Sequence, residues 1–87
     1  MLKDKYYIIS VDKSKITDTV MSNWNKNVDI KSMHLMVTFI KSLSNMRCFD
    51  GCGYNIVDNT PLNDIYYNIW LPNNSFEIIG EIGENNG

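Results

Sequence analysis

The sequence predicts an α+β domain: an antiparallel β-sheet of about four strands, in the order β-α-α-β-β-β, with two helices packed on one face. Three observations predict it. Residues 64–82, DIYYNIWLPNNSFEIIGEI, hold two strand-like runs on either side of a turn-forming Asn73-Asn74. Lys5 to Val11, KYYIISV, is dense in aromatic and β-branched residues, which favour a strand. Residues 15–26 and 30–47 repeat apolar side chains at helical spacing.

The stretch 64–82 organises the rest. A two-residue loop at Asn73-Asn74 pairs Leu71 with Phe76, Ile69 with Ile78, Tyr67 with Gly80 and Ile65 with Ile82, all on a core face. Alternation then sets Trp70 opposite Glu77, Asn68 opposite Ile79 and Tyr66 opposite Glu81 on the outer face. A slip of one residue would place Ile69 against Glu77 and mix the two faces, so the alternation selects this register.

In chain order, KYYIISV carries apolar side chains on both faces and reads as a strand inside a sheet. Asp12 and Ser14 offer helix N-caps, and Ile16, Val20 and Trp24 recur every four residues, so residues 15–26 read as a short helix. Asp29 caps the second helix, 30–47. There Met33, Leu35, Met36, Val37, Phe39, Ile40, Leu43 and Met46 cover more than half of the helical wheel, leaving a polar stripe of His34, Thr38, Lys41, Ser42 and Asn45. The methionines read as adaptable core filling. Cys48 to Gly53, CFDGCG, reads as a turn at Asp50-Gly51, Tyr54 to Asp58 as a short strand, Asn59-Thr60-Pro61 as a break, and residues 83–87 as a frayed end.

The 87 residues suit a single domain, 1–87. No apolar run approaches the roughly 20 residues of a membrane span, and the five-residue apolar stretch near the N-terminus is too short for a signal peptide. A cytoplasmic location is expected, with reduced thiols and no membrane partner. The absence of Ala and Gln beside abundant Asn, Ile and Lys points to a low-GC genome, bacterial or viral.

The net charge of −2 conceals a division. Residues 1–47 hold all eight bases against Asp4, Asp12, Asp18 and Asp29, a balance of +4; residues 48–87 hold six acids and no base, a balance of −6. Such asymmetry points to a charged partner, or to attraction between the two sets within the molecule.

Catalytic and metal templates fail one by one. Cys48 and Cys52 are spaced C-x3-C with no second pair, and a zinc site would have to recruit Asp50 and His34, the latter on the solvent stripe fourteen residues away. In a turn at Asp50-Gly51 the sulfurs would be diagonal neighbours, a poor disulfide geometry. The same placement denies Cys48 or Cys52 a histidine base. No G-x-S-x-G, phosphate-binding glycine loop or H-E-x-x-H is present. Glu77 and Glu81, four apart on one strand, stand roughly 13 Å apart, beyond the roughly 5–10 Å that paired carboxylates need for glycoside chemistry. The lysines are scattered, without the arginine content or aromatic interleaving of a nucleic-acid binder. Neither a cofactor nor an enzymatic activity is expected.

The outer hairpin face remains as the candidate site. Tyr66, Trp70 and Ile79 would stand in the open, with Asn68 between them and Glu77, Glu81 and Asp64 around them. Trp and Tyr are enriched where interfaces are energetically decisive. The expected function is a small non-catalytic inhibitor that presses this acidic, aromatic face into a basic, nucleic-acid-binding site on a partner protein. In size, charge and composition the chain resembles the small phage-encoded inhibitors of host defence nucleases, anti-CRISPR proteins among them, which implies action in the host cytoplasm. The alternatives are a Cys/His metal-binding or catalytic domain centred on Cys48, Asp50, Cys52 and His34, and a homodimer or other self-associating protein that pairs the hairpin face with its own copy.

Overall fold

The computed structural model of the chain describes residues 2–3, 5–16 and 33–82. These form five strands, β1 (Tyr6–Val11), β2 (His34–Leu43), β3 (Met46–Asn55), β4 (Thr60–Pro72) and β5 (Phe76–Ile82), with one 3-10 turn (Lys13–Lys15) after β1. No α-helix occurs among the described residues, so the architecture is an all-β antiparallel sheet and the α+β expectation is corrected. The expected helix 15–26 lies outside the described residues beyond its first two positions; Asp12 does act as a cap, but of the 3-10 turn, its carboxylate accepting from the Ser14 amide at 3.0 Å.

The expected helix 30–47 is, from residue 34 on, β2 and the start of β3. Along β2, Leu35 and Val37 point into the core and are fully buried, while His34, Met36, Thr38 and Ile40 on the other face are only half-buried. A strand flanked on both sides carries apolar groups on both faces, and on a helical wheel that pattern imitates a buried helix. β-Branched Val37, Thr38 and Ile40 favour the strand. The β2–β3 hairpin turns at Ser44-Asn45 with Ser44 in the left-handed region (φ 54°).

The expected turn at Cys48–Gly53 is instead the middle of β3. Gly51 permits this, because a Cβ there would lie 2.3 Å from the Met36 carbonyl oxygen and 2.8 Å from a Val37 methyl, so β2 and β3 approach as only glycine allows. The expected strand 54–58 contributes Tyr54 and Asn55 to β3 and then turns, with the Asn55 side chain accepting from the amides of Val57 (2.9 Å) and Asp58 (3.2 Å). Thr60 and Pro61, expected as a break, open the edge strand β4, where proline is tolerated.

The strand order is β4-β3-β2-β1-β5. The central hairpin is therefore overturned: both of its strands exist, but they are the two edges of the sheet and do not pair. Leu71 faces Arg47 of β3, and Phe76 faces Val11 of β1. β1 lies inside the sheet as expected, between β2 and β5.

This topology forces the sheet to curl. Four strand spacings in a flat sheet would separate its edges by about 19 Å, yet only Asn73 to Ser75 link β4 to β5, and four residue steps from Pro72 to Phe76 reach at most about 14 Å. The rings of Phe49 in β3 and Phe76 in β5 lie 5.2 Å apart, edge to face, where flat geometry would separate their strands by about 14 Å. The sheet is thus an incompletely closed barrel. The crossing turn is fastened: Asn73 N–H donates to Asn45 O (2.7 Å), Asp12 N–H to Ser75 O (2.7 Å), and the fully buried Ser75 hydroxyl to Pro72 O (2.7 Å). Inside the curl, Tyr7, Ile9, Val11, Leu35, Val37, Phe49, Tyr66, Ile69 and Leu71 form one core, with Phe39 and Phe76 packed against it.

Candidate partner-binding surface

The residues expected on one outer hairpin face are distributed by this fold over two edges. Asp64, Tyr66, Asn68 and Trp70 belong to β4, while Glu77, Ile79 and Glu81 belong to β5, with three strands between them in the sheet. They do not form a single face.

The expected exposure of Tyr66 and Trp70 is also corrected. Tyr66 is 7% exposed and joins the core, its hydroxyl donating to the Asp64 carboxylate; Trp70 is 9% exposed, opposite Cys48, with the Lys41 ammonium 5.7 Å from its ring centroid. Conversely Ile65 and Tyr67, expected in the core, are 61% and 69% exposed. The cause is a bulge. Phe49 pairs with Ile69 but Gly51 with Tyr66, so β4 spends one residue more than β3 across this interval. Asn68 takes the left-handed conformation there (φ 51°), and its amide donates to Asp50 Oδ1 at 2.8 Å. Past the bulge every side chain changes face.

A second bulge does the same to the carboxylates of β5. Ile9 pairs with Ile78 and Ile8 with Gly80, leaving Ile79 as the extra residue. Glu77 is then opposite Ser10 and Glu81 opposite Tyr7, positions three apart in β1 that point to opposite faces, and Lys5 reaches Glu81 at 3.4 Å. Glu77, Ile79, Glu81 and Asn68 are all exposed.

The bulge in β4 creates a different surface. Tyr6 of β1 and Leu62, Ile65 and Tyr67 of β4 stand as walls beside a groove of about 320 Å³, and the two strands between them supply Met36, Thr38, Asp50, Gly51 and Cys52. Apart from Met36 and Asp50 the middle strands give short side chains; the outer ones give large apolar side chains. Among the described residues Asp50 is the only charged side chain lining the groove. Asp64 adds to the negative field, since its charge, after burial, helps push the Cys52 thiol above its ordinary value. This site was invisible as long as Tyr67 and Ile65 were assigned inward; the signal that locates it is the Asn68 bulge, for which Asn is one of the few suitable residue types.

The cysteines do not assemble a reactive centre. Both are free and lie four residues apart along β3 rather than across a turn. Burial foremost, and nearby carboxylates after it, raise both thiols, with Lys41 partly opposing this at Cys48. They are therefore held protonated, the unreactive form. Among the described residues no three His, Cys, Asp or Glu side chains come close enough to hold a metal, so Cys48, Asp50, Cys52 and His34 do not converge. No described helix is long and apolar enough to cross a membrane. Compared with protein-family models, curated proteins and solved structures, the chain matches none.

Proposed function

We propose that this chain is a small non-catalytic binding protein that docks the groove surface of β4 and β1 on a basic, nucleic-acid-binding site of a partner, a host defence nuclease being the kind of target its profile suggests, and competes there with nucleic acid. The observation that carries the proposal is the exposure of Tyr67, Ile65 and Leu62 on an edge strand, beside a groove whose one charge among the described residues is a carboxylate. Isolated exposed apolar residues need no explanation, whereas a contiguous set with aromatic members resembles the desolvated centre of an interface. The unbalanced acids of residues 48–87 supply the steering field. The surface replaces the Tyr66 and Trp70 face as the contact region, and Asp64 is retained at its margin.

The test is capture of partner on the immobilised chain at low salt, repeated with the double variant Ile65→Ala/Tyr67→Ala. The expected captured protein is basic, is displaced by added duplex DNA or RNA, is released as salt rises from about 0.05 to 0.5 M while the screening length falls from about 14 to about 4 Å, and is absent from the variant. A captured protein indifferent to nucleic acid, to salt and to the double substitution would overturn the proposal.

A further inference from the structure

We propose that the groove between β1 and β4 receives an arginine side chain of the partner, stacked on the Tyr67 ring and drawn down by the Asp50 carboxylate, with Tyr6 as the far wall. This rests on the binding function proposed above and specifies what its surface recognises. Three features of the groove carry it. Its walls include exposed aromatic rings at both sides, Tyr6 and Tyr67, whose faces attract cations. Thr38 and Cys52 give its floor short side chains, so a planar group can lie between the walls. Its one charged lining residue among the described residues is Asp50, and that carboxylate is already oriented by the hydrogen bond from the Asn68 amide.

The electrostatics select the sign of the occupant. Among the described residues no lysine or arginine lines the groove, and Asp64 lies close enough for its charge to act on the Cys52 thiol. The carboxylates of Asp50 and Asp64 repel an anion. Among cations, a guanidinium stacks on aromatic faces, gives up water more readily than an ammonium, and presents a fork of donors to a carboxylate, so arginine fits better than lysine. The volume, about 320 Å³, is at the lower end for ligand pockets and suits a side chain with its flanking backbone rather than a large molecule.

The probe is the capped tripeptide acetyl-Leu-Arg-Leu-amide, titrated by NMR into the 15N-labelled chain. Matched peptides carry lysine, or citrulline, which keeps the shape of arginine without its charge. The expected result is saturable shifts centred on Tyr6, Asp50, Cys52, Ile65 and Tyr67, with citrulline binding at least about fivefold more weakly and lysine intermediate, in keeping with a cation–π contact assisted by a carboxylate. Tyr67→Ala, which removes a ring already mostly in water, is expected to weaken the arginine peptide by about the same factor without altering the fold. Asp50→Asn is the second variant, and its spectrum reports whether the Asn68 bulge persists. Equal binding of citrulline and arginine, tighter binding of lysine, or shifts centred on β5 would each overturn the inference. The two proposals separate cleanly: if Ile65→Ala/Tyr67→Ala abolishes partner capture while the arginine peptide leaves the groove unperturbed, the binding function stands and the arginine assignment falls.

Discussion

Phe49 lies where the curl of the sheet closes, fully buried, with Phe39 6.2 Å away across the β2–β3 pair and Phe76 5.2 Å away across the barrel interior. Truncating it removes both edge-to-face contacts and leaves a cavity that rigid strands fill poorly, so Phe49→Ala is expected to lose about 3–5 kcal/mol, read from the urea midpoint at unchanged slope. For a domain this small such a loss approaches the whole stability. Gly51→Ala fails for the opposite reason: the added methyl meets the Met36 carbonyl and Val37, and overpacking of this kind costs about 1–3 kcal/mol. The cysteines give a pH signature. Burial raises both thiols in the folded chain, so the neutral thiol is the form that folding favours. A folded-state value above the unfolded one contributes stability that is complete below the ordinary thiol value of 9.0 and is lost as pH rises through the folded value. The urea midpoint is therefore expected to fall above about pH 9, and to fall less steeply in a Cys48→Ala/Cys52→Ser variant.

At the scale of the element, β4 decides both the fold and the site, and it is where sequence reasoning succeeded and failed in adjacent residues. The inward Ile69 and Leu71 follow from simple alternation counted back from the turn, and β1 follows from its β-branched density. Tyr66 and Tyr67 do not, because alternation is a local rule that an extra residue at Asn68 resets. The β4–β5 pairing failed for a different reason. Asn73-Asn74 does turn the chain, but whether the two strands then meet each other or the far edges of a curled sheet is decided by contacts with Asn45, Asp12 and β1, which lie elsewhere in the sequence. The misread helix 30–47 could have been doubted from its content of Val37, Thr38, Ile40 and Ser42 and from Ser44-Asn45 as a tight turn, since periodicity alone cannot distinguish a central strand from a buried helix. The bulge makes a prediction of its own. At φ 51°, Asn68→Gly is tolerated or mildly stabilising, whereas Asn68→Val is strained and is expected to cost about 1–3 kcal/mol. In the valine variant the groove shifts produced by the arginine tripeptide should also vanish, because the same bulge turns Tyr67 outward.

For the molecule as a whole, the question is whom the charge division serves. The strand order places β2 with Lys41, and β1 flanked by Lys5 and Lys13, toward the middle, with Asp50 of β3, Asp64 of β4 and Glu77 and Glu81 of β5 around them, an arrangement in which the two sets could neutralise one another. One ion pair that links them is Lys5 to Glu81 at 3.4 Å, and Glu81 is more than half exposed in it. Exposed pairs contribute between nothing and about 1 kcal/mol and are screened by salt. Exposed pairs of this kind are a minor part of stability, and the melting temperature is expected to move by no more than about 3 °C between about 0.05 and 0.5 M NaCl. A complex steered by the acids should respond to the same change by roughly tenfold or more in association rate, since long-range attraction to a basic site fades as the screening length contracts. Thermal melts and stopped-flow association over one salt series thus separate the two uses of charge. A salt-sensitive fold with a salt-insensitive complex would mean that the acids answer the protein's own lysines, and the partner would then have to be held by the apolar walls of Tyr67, Ile65 and Leu62 alone.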